Sequence, residues 1–226
     1  MERQFDEELK KLKAILMRMA ALVEESIALA IKGLKACQEQ PARRVLEQED
    51  AINLLEIEVD ELCLRLLALK QPMAGDLRFI TSAMKIGSEL ERIGDQAVNI
   101  AERTLDLLKQ PPLKPLIDLP RMAELVQKMV LDVINAFVNR DADLARDVCR
   151  RDDEVDQLND QIFRELLTYM MQDPANIPRA VGLILVGRHL ERMADHATNI
   201  SEDVIYLALG KTIKHHIESR RLAQAS

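Results

Sequence analysis

Apolar residues recur along the chain in steps of three, four or seven, a period that predicts amphipathic α-helices rather than strands. The first run of this kind extends over Gln4–Cys37. A second helix can begin at Pro41, because proline lacks only a donor that has no partner in the first turn of a helix. The break at Pro72–Gly75 ends the second helix, and a third continues to Lys109.

The same pattern resumes after a proline-rich segment that is the best candidate for a linker. Four prolines fall within ten residues there, at Pro111, Pro112, Pro115 and Pro120. Beyond them the periodicity predicts three more helices, over Leu119–Asn139, over Asp141–Met171, and from the break at 173–178 to Leu209. Gly210 is a suitable stop for the last helix.

Short connections between long helices make neighbouring helices antiparallel. The predicted fold is therefore all-α, with two tandem antiparallel three-helix bundles; one continuous six-helix bundle is the alternative. The expected division is a first unit at 1–112, a second at 117–212 and a basic tail at 213–226.

Composition supports a helical protein and argues against several classes of function. The chain has seven Gly and no Trp, and a formal net charge of −7 argues against binding to a nucleic-acid backbone.

Three widely spaced cysteines lack the spacing of a zinc site or redox pair and are expected to be reduced. The sequence shows no secretory signal, and its longest apolar run, near 181–187, is too short to span a bilayer. We therefore expect a soluble, cytoplasmic protein.

An internal repeat relates the two predicted halves. Residues 87–102 match residues 187–202 at nine of 16 positions, and the identities include Glu, Arg, Asp and Asn. Residues 49–53 align in the same way with residues 152–156. A repeat kept only for core packing would preserve apolar residues and let polar ones drift, so the preserved polar residues point to a function.

The repeated polar residues form rows of carboxylates. At 100° per residue, the acids of the third helix lie opposite its apolar stripe, and the sixth helix repeats this arrangement. Carboxylate and amide oxygens are ligands that hard cations prefer, while the absence of His and Cys from the rows disfavours structural zinc. Glu56 and Asp60 extend the row of the second helix, and Asn159 that of the fifth. The candidate metal ligands are Glu49, Asn53, Glu91, Asp95, Asn99, Glu102, Asp152, Asp156, Glu191, Asp195, Asn199 and Glu202.

These motifs resemble the signature of the PhoU family of phosphate-signalling proteins, and the resemblance covers essentially the whole chain. The family pattern is a pair of (Glu/Asp)-x-x-x-Asp motifs in each half. Here the pattern is met by residues 91–95, 152–156 and 191–195, whereas Asn53 departs from it at 49–53 and offers a carbonyl oxygen instead.

The resemblance implies a multinuclear metal cluster at the acidic faces, with iron first and zinc, manganese or magnesium as alternatives. It further implies a homodimeric adaptor, not an enzyme, that contacts the ATPase subunit of a phosphate ABC transporter and a phosphate-sensing histidine kinase. Such an adaptor reaches membrane complexes only through these partners, does not bind nucleic acid, and helps to keep the phosphate regulon off when phosphate is plentiful.

Two other interpretations account for the helices. A metal-free helical scaffold leaves the repeated polar identities unexplained. A di-iron enzyme of the ferritin-like kind needs inward-facing Glu-x-x-His motifs, and the sequence contains none. His189 and His196 share a helix face apart from the acids and are expected at the surface or at an interface.

Overall fold

The computed structural model describes residues 2–70 and 72–210, and these ranges contain all six predicted helices. A short 3-10 turn at Pro174–Asn176 precedes the last helix. The basic tail predicted at 213–226 lies outside the described residues. The helices are α1 (Glu2–Ala36), α2 (Glu39–Lys70), α3 (Ala74–Leu107), α4 (Asp118–Asn139), α5 (Ala142–Gln172) and α6 (Ile177–Leu209).

The helix ends follow from local backbone chemistry. Gly210 adopts a left-handed φ of 67° and its N–H donates to the Tyr206 carbonyl at 2.8 Å, so it stops α6 as predicted. Asp141 caps α5 by accepting hydrogen bonds from the backbone of Asp143 and Leu144. Pro41 lies in the first turn of α2, where its missing N–H leaves no helical hydrogen bond unmade.

The six helices form two three-helix bundles that lie side by side. Helix α3 packs against α6 and α1 packs against α4, so the two bundles share one continuous apolar core. Helix α2 packs on α1 and α3, and α5 packs on α4 and α6. The predicted tandem bundles are therefore present, but each is completed by the other, and α2 and α5 lie at the two outer edges.

The contact between α3 and α6 reflects the internal repeat. His196 Nδ1 lies 2.7 Å from a Glu89 carboxylate oxygen, and His189 Nδ1 lies 2.9 Å from the Gln96 side-chain oxygen. Positions 89 and 189 are equivalent in the repeat, as are 96 and 196. Each contact is thus the repeat-related copy of the other, and the two halves meet about an approximate two-fold axis. The histidines lie at an interface, in agreement with one of the two predicted locations.

The glycines that precede the acidic motifs allow close helix packing. A Cβ added at Gly87 would lie 3.2 Å from Val59, and one added at Gly187 would lie 2.8 Å from the Asn159 side-chain oxygen. These approaches fix the register of α2 against α3 and of α5 against α6.

We expect Gly87→Leu to lower the free energy of unfolding by about 1–3 kcal/mol, because the new side chain would force α2 away from α3. Gly75→Ala is the matched substitution, since an added Cβ there meets nothing within 4 Å. It should leave stability unchanged or raise it by up to about 1 kcal/mol. Urea unfolding of the three proteins tests the packing; equal midpoints for Gly87→Leu and wild type would contradict it.

The three cysteines form no disulfide among themselves. Burial raises the pKa of the Cys63 thiol to about 12 and that of Cys149 to about 11, so both are poor nucleophiles. No stretch within the described helices combines the length and the apolar character needed to span a bilayer.

Candidate metal-binding faces

The first acidic face lies between α2 and α3. Burial raises the pKa of the Glu91 carboxyl, and the neighbouring charges of Asp95 and Glu56 raise it further. Burial likewise raises the pKa of Glu56, with further contributions from Asp60 and Asp95 that a Ser88 hydrogen bond partly offsets. Four carboxylates from two helices therefore share one partly buried surface, and the nearby Arg92 offsets only part of their repulsion.

The second acidic face repeats this arrangement between α5 and α6. Burial raises the pKa of Glu191, followed by the charges of Asp156 and Asp195. The pKa of Asp156 is raised for the same reasons, with burial first and Asp195 second. The Asn159 amide donates a hydrogen bond of 2.9 Å to Glu191, and Asp160 adds a further negative charge.

The two faces carry the same ligand types in a different order. Under the offset of 103 residues, Asn53 corresponds to Asp156, and Glu56 corresponds to Asn159. Each outer helix therefore offers one carboxylate and one amide that lie one helical turn apart. The amide comes first on α2, and the carboxylate comes first on α5. Glu56 supplies in the first half the carboxylate that Asn53 lacks. Sequence reasoning placed Glu56 on the acidic row but omitted it from the ligand set, because it follows the Glu49–Asn53 motif rather than belonging to it.

Several predicted ligands lie away from the centres of the faces. Asn199 donates to Glu89 at 3.1 Å across the contact between the two halves, and Asn99 donates to the Asp95 backbone carbonyl at 2.9 Å. Glu102 is exposed beside Arg43, in a groove of about 510 Å³. Glu49 and Asn53 are half-buried on α2, in the same row as Glu56.

Asp152 and Glu202 mark the far end of the second row. Burial is the largest cause of the raised pKa of Cys149, and the charges of Glu202 and Asp152 raise it further, so both carboxylates lie near this thiol. Glu202 also lines a groove with Lys85 and Asp203, which are themselves joined by an ion pair of 2.9 Å.

Glu89 belongs to the contact between the halves rather than to an acidic face. Burial by itself would raise its pKa, but hydrogen bonds from His196 and Asn199 hold the pKa of this carboxyl below its ordinary value. Burial lowers the pKa of His189, and the charges of Arg192 and Arg103 lower it further. The histidine pair therefore joins the two halves and leaves the acidic faces to oxygen ligands.

The donor chemistry of the faces fits a hard cation, since carboxylates and amide oxygens line them and bound positive charge would relieve their mutual repulsion. Across residues 2–70 and 72–210, however, no three Asp, Glu, His or Cys side chains are grouped tightly enough to hold a metal ion as they stand. Binding would thus require the carboxylates to change rotamer and converge.

The raised carboxyl pKa values predict a pH dependence of stability in a chelator. The native state keeps protons on Glu56, Glu91, Asp156 and Glu191 at a pH where the unfolded chain has released them, so stability falls as pH rises through this range. Removing two of these groups should make the dependence of stability on pH less steep at pH values above the ordinary carboxyl pKa, where the raised groups release their protons.

Urea unfolding at several pH values, for wild type and for Glu91→Gln/Glu191→Gln, measures that contribution. The double variant should gain less stability on acidification than wild type does. Glu47→Gln/Glu124→Gln, which removes two exposed carboxylates, is the control and should follow wild type. Identical pH profiles for all three proteins would show that burial and like charge do not raise the pKa values of the carboxyls on the faces.

The fold and the two faces define the class of protein: an all-helical tandem repeat with one carboxylate-rich face in each half. A family model described as the PhoU domain matches the chain twice, at residues 16–104 and 119–204. A relative from Aquifex aeolicus (strain VF5) is 46% identical over 214 residues, covering 94% of this chain and 97% of its own. One from Escherichia coli (strain K12) is 35% identical, with coverages of 94% and 88%.

Solved structures agree with this match. The crystal structure of PhoU from Pseudomonas aeruginosa superposes with a TM-score of 0.88 at 41% identity, covering 92% of this chain and 100% of that one. The PhoU structure from Streptococcus pneumoniae gives a TM-score of 0.85 at 31% identity, with coverages of 93% and 99%. The chain belongs to the PhoU family, which confirms both the resemblance and the all-α tandem-repeat fold.

The relatives' names also bear on activity. The Escherichia coli relative is named phosphate-specific transport system accessory protein PhoU, and the Aquifex aeolicus relative is named phosphate-specific transport system accessory protein PhoU homolog. These names describe an accessory protein, and they confirm the prediction that the chain is not an enzyme.

Proposed function

We propose that this protein regulates phosphate uptake and phosphate-starvation signalling as a metal-binding adaptor. Its partners are the ATPase subunit of a phosphate ABC transporter and a phosphate-sensing histidine kinase, and it works on the cytoplasmic side of the membrane as a homodimer. When phosphate is plentiful, it helps to keep the phosphate regulon off. Membership of a family whose relatives are named as accessory proteins of the phosphate-specific transport system supports this role.

The observation that carries the metal part of the proposal is the pair of acidic faces. Each half places carboxylates from two helices together at an outer edge of the molecule, where burial and like charge raise their pKa values. A structural role alone does not explain why this unfavourable arrangement occurs twice. The residues that would hold metal are Asn53, Glu56, Glu91 and Asp95 in the first half, and Asp156, Asn159, Glu191 and Asp195 in the second.

A bound metal would supply positive charge that links the outer helix of each half to its neighbour. Iron is the first expectation, with zinc, manganese or magnesium as alternatives. The protein's own contribution is to hold α2 against α3 and α5 against α6 in the register that Gly87 and Gly187 permit. Because these surfaces lie on outer helices, metal binding would alter the faces that partners can reach.

A reporter for phosphate-starvation genes tests the regulatory role. In high phosphate, a strain that lacks this protein should express the reporter strongly, and the wild-type gene should restore repression. Restoration should fail with the acid-face variant Glu91→Gln/Asp95→Asn/Glu191→Gln/Asp195→Asn, provided that immunoblots show normal amounts of protein.

The control variant has the same change in net charge at four exposed positions, Glu47→Gln/Asp50→Asn/Glu124→Gln/Asp106→Asn. It should restore repression as the wild-type gene does. Normal repression in the strain that lacks the protein would refute the regulatory role, whereas full restoration by the acid-face variant would refute only the part assigned to metal.

A further inference from the structure

An apolar seam runs along the solvent-facing side of α2. Leu54, Ile57 and Leu64 leave 66%, 53% and 58% of their surfaces exposed. Glu61 and Ala68, which are also exposed, continue the same line. We define the outer seam as these five residues: Leu54, Ile57, Glu61, Leu64 and Ala68.

The spacing of the outer seam is that of a coiled-coil face. Its members are separated by three, four, three and four residues, which is the alternation of a and d positions in a heptad repeat. Single exposed apolar side chains are ordinary on protein surfaces, but a line of them in heptad register along a helix fits the side chains of a second helix.

Charge indicates what kind of helix fits. Glu61 occupies the middle of the seam, and no cation among the described residues forms an ion pair with it. Glu56 and Asp60 lie on the next face of α2. The nearby cations Lys11 and Arg65 are already paired, with Glu58 at 2.9 Å and with Glu8 at 4.0 Å. A partner helix therefore needs a basic side chain opposite Glu61.

The same charges argue against a second copy of this chain as the occupant. Pairing two seams would bring two Glu61-bearing helices together and set the acidic residues beside each seam against those of the other. Like charges brought into contact are unfavourable, and their arrangement is a common way to exclude a wrong partner.

The repeat shows that the seam belongs to one half only. The positions equivalent to Leu54 and Ile57 are Gln157 and Asp160, and the position equivalent to Glu61 is Arg164. The positions equivalent to Leu64 and Ala68 remain apolar, as Leu167 and Met171. The acidic faces are thus present in both halves, but the complete seam is present in one. A partner that uses this surface would bind with one helix per chain.

We propose that the outer seam of α2 binds an amphipathic helix of a partner protein, with apolar residues at its a and d positions and a lysine or arginine opposite Glu61. The inference rests on the proposed adaptor function, because it assigns one of the docking surfaces that an adaptor needs. It does not require metal, since the seam consists of side chains outside the proposed ligand sets.

Binding of two synthetic peptides to the full-length chain tests the seam. Each is a stapled helix of about 21 residues, three heptads, with leucine at its a and d positions. One carries lysine at the central a position and the other carries glutamate. Fluorescence anisotropy should show that the wild-type chain binds the lysine peptide at least about tenfold more tightly than the glutamate peptide.

Substitutions taken from the second half sharpen the test. Leu54→Gln/Ile57→Asp should weaken binding of the lysine peptide by at least about tenfold. Glu61→Lys should instead make the chain prefer the glutamate peptide. Leu131→Gln, at an exposed leucine of α4, is the control and should bind as wild type does. Equal binding of both peptides, or no effect of Leu54→Gln/Ile57→Asp, would overturn the proposal.

Two further measurements separate the remaining possibilities. If sedimentation shows a wild-type dimer that Leu54→Gln/Ile57→Asp converts to monomers, the seam is a contact between copies and the proposal is wrong. Glu191→Gln/Asp195→Asn should keep the lysine preference, because that acidic face lies in the other half. The peptide assay involves neither metal nor repression, so failure of the seam and failure of the proposed function give different results.

Discussion

Phe137→Ala is expected to lower the free energy of unfolding by about 3–5 kcal/mol, the range for removing a large aromatic side chain from a core. Phe137 on α4 is fully buried and stacks on Phe79 of α3, with ring centroids 5.0 Å apart and an interplanar angle of 15°. This pair joins the first bundle to the second, so its loss leaves a cavity at the boundary where the two halves share their core.

Urea unfolding followed by far-UV circular dichroism measures the effect. Phe163→Ala is the matched control, because Phe163 on α5 is 46% exposed, and it should change stability by no more than about 0.5 kcal/mol. Similar losses for the two variants would show that the boundary between the halves is not tightly packed.

A double-mutant cycle isolates the stack itself. Combining Phe137→Ala with Phe79→Ala should give a coupling energy of about 0.5–1.5 kcal/mol, the range for an aromatic pair in contact. Lys13 and Arg140 lie over the Phe79 ring, at 5.3 Å and 5.9 Å from its centroid. Additive effects of the two substitutions would mean that the rings are not coupled.

Metal is expected to reverse the order of stability between wild type and the acid-face variant Glu91→Gln/Asp95→Asn/Glu191→Gln/Asp195→Asn. In a chelator the variant should be the more stable protein, because neutral amides avoid the burial of charge and the like-charge repulsion that raise the carboxyl pKa values. With metal the order should reverse, since only wild type gains binding energy in the native state. At a metal concentration about 100 times Kd that gain is about 2.7 kcal/mol per site.

Thermal unfolding with and without ferrous iron under anaerobic conditions measures both directions, and manganese serves as a redox-stable substitute. The control variant Glu47→Gln/Asp50→Asn/Glu124→Gln/Asp106→Asn should gain as much from metal as wild type does. Equal gains for the acid-face variant and wild type would place any bound metal elsewhere on the chain.

Helices were predictable from the sequence because their causes are local. The apolar period and the Pro and Gly positions located all six, and Gly210 ends α6 as expected. Helix α2 begins at Glu39, before the predicted start at Pro41, because a proline is tolerated anywhere in the first turn. The end of α1 differs by one residue, because Cys37 adopts a left-handed φ of 52°.

The acidic faces were predictable only in part, because a helical wheel orients one helix but does not say what lies opposite. The periodicity of α3 alone is enough to place Glu91 and Asp95 on an acidic face. That Glu56 faces them depends on the register of α2, which Val59 sets against Gly87. The periodicity of α6 places Asn199 on the acidic row, yet α6 packs on both α5 and α3, and this residue donates a hydrogen bond to Glu89 instead.

Anomalous diffraction at the iron edge, from crystals grown with ferrous iron, tests most directly whether each half of the protein holds metal. We expect peaks beside Glu91 and Asp95, with Glu56 as a ligand from α2, and beside Glu191 and Asp195, with Asp156 as a ligand from α5. Peaks in both halves would establish the two faces as metal sites. No peak at either face, or peaks confined to other parts of the chain, would contradict the metal-binding role proposed for this member of the PhoU family.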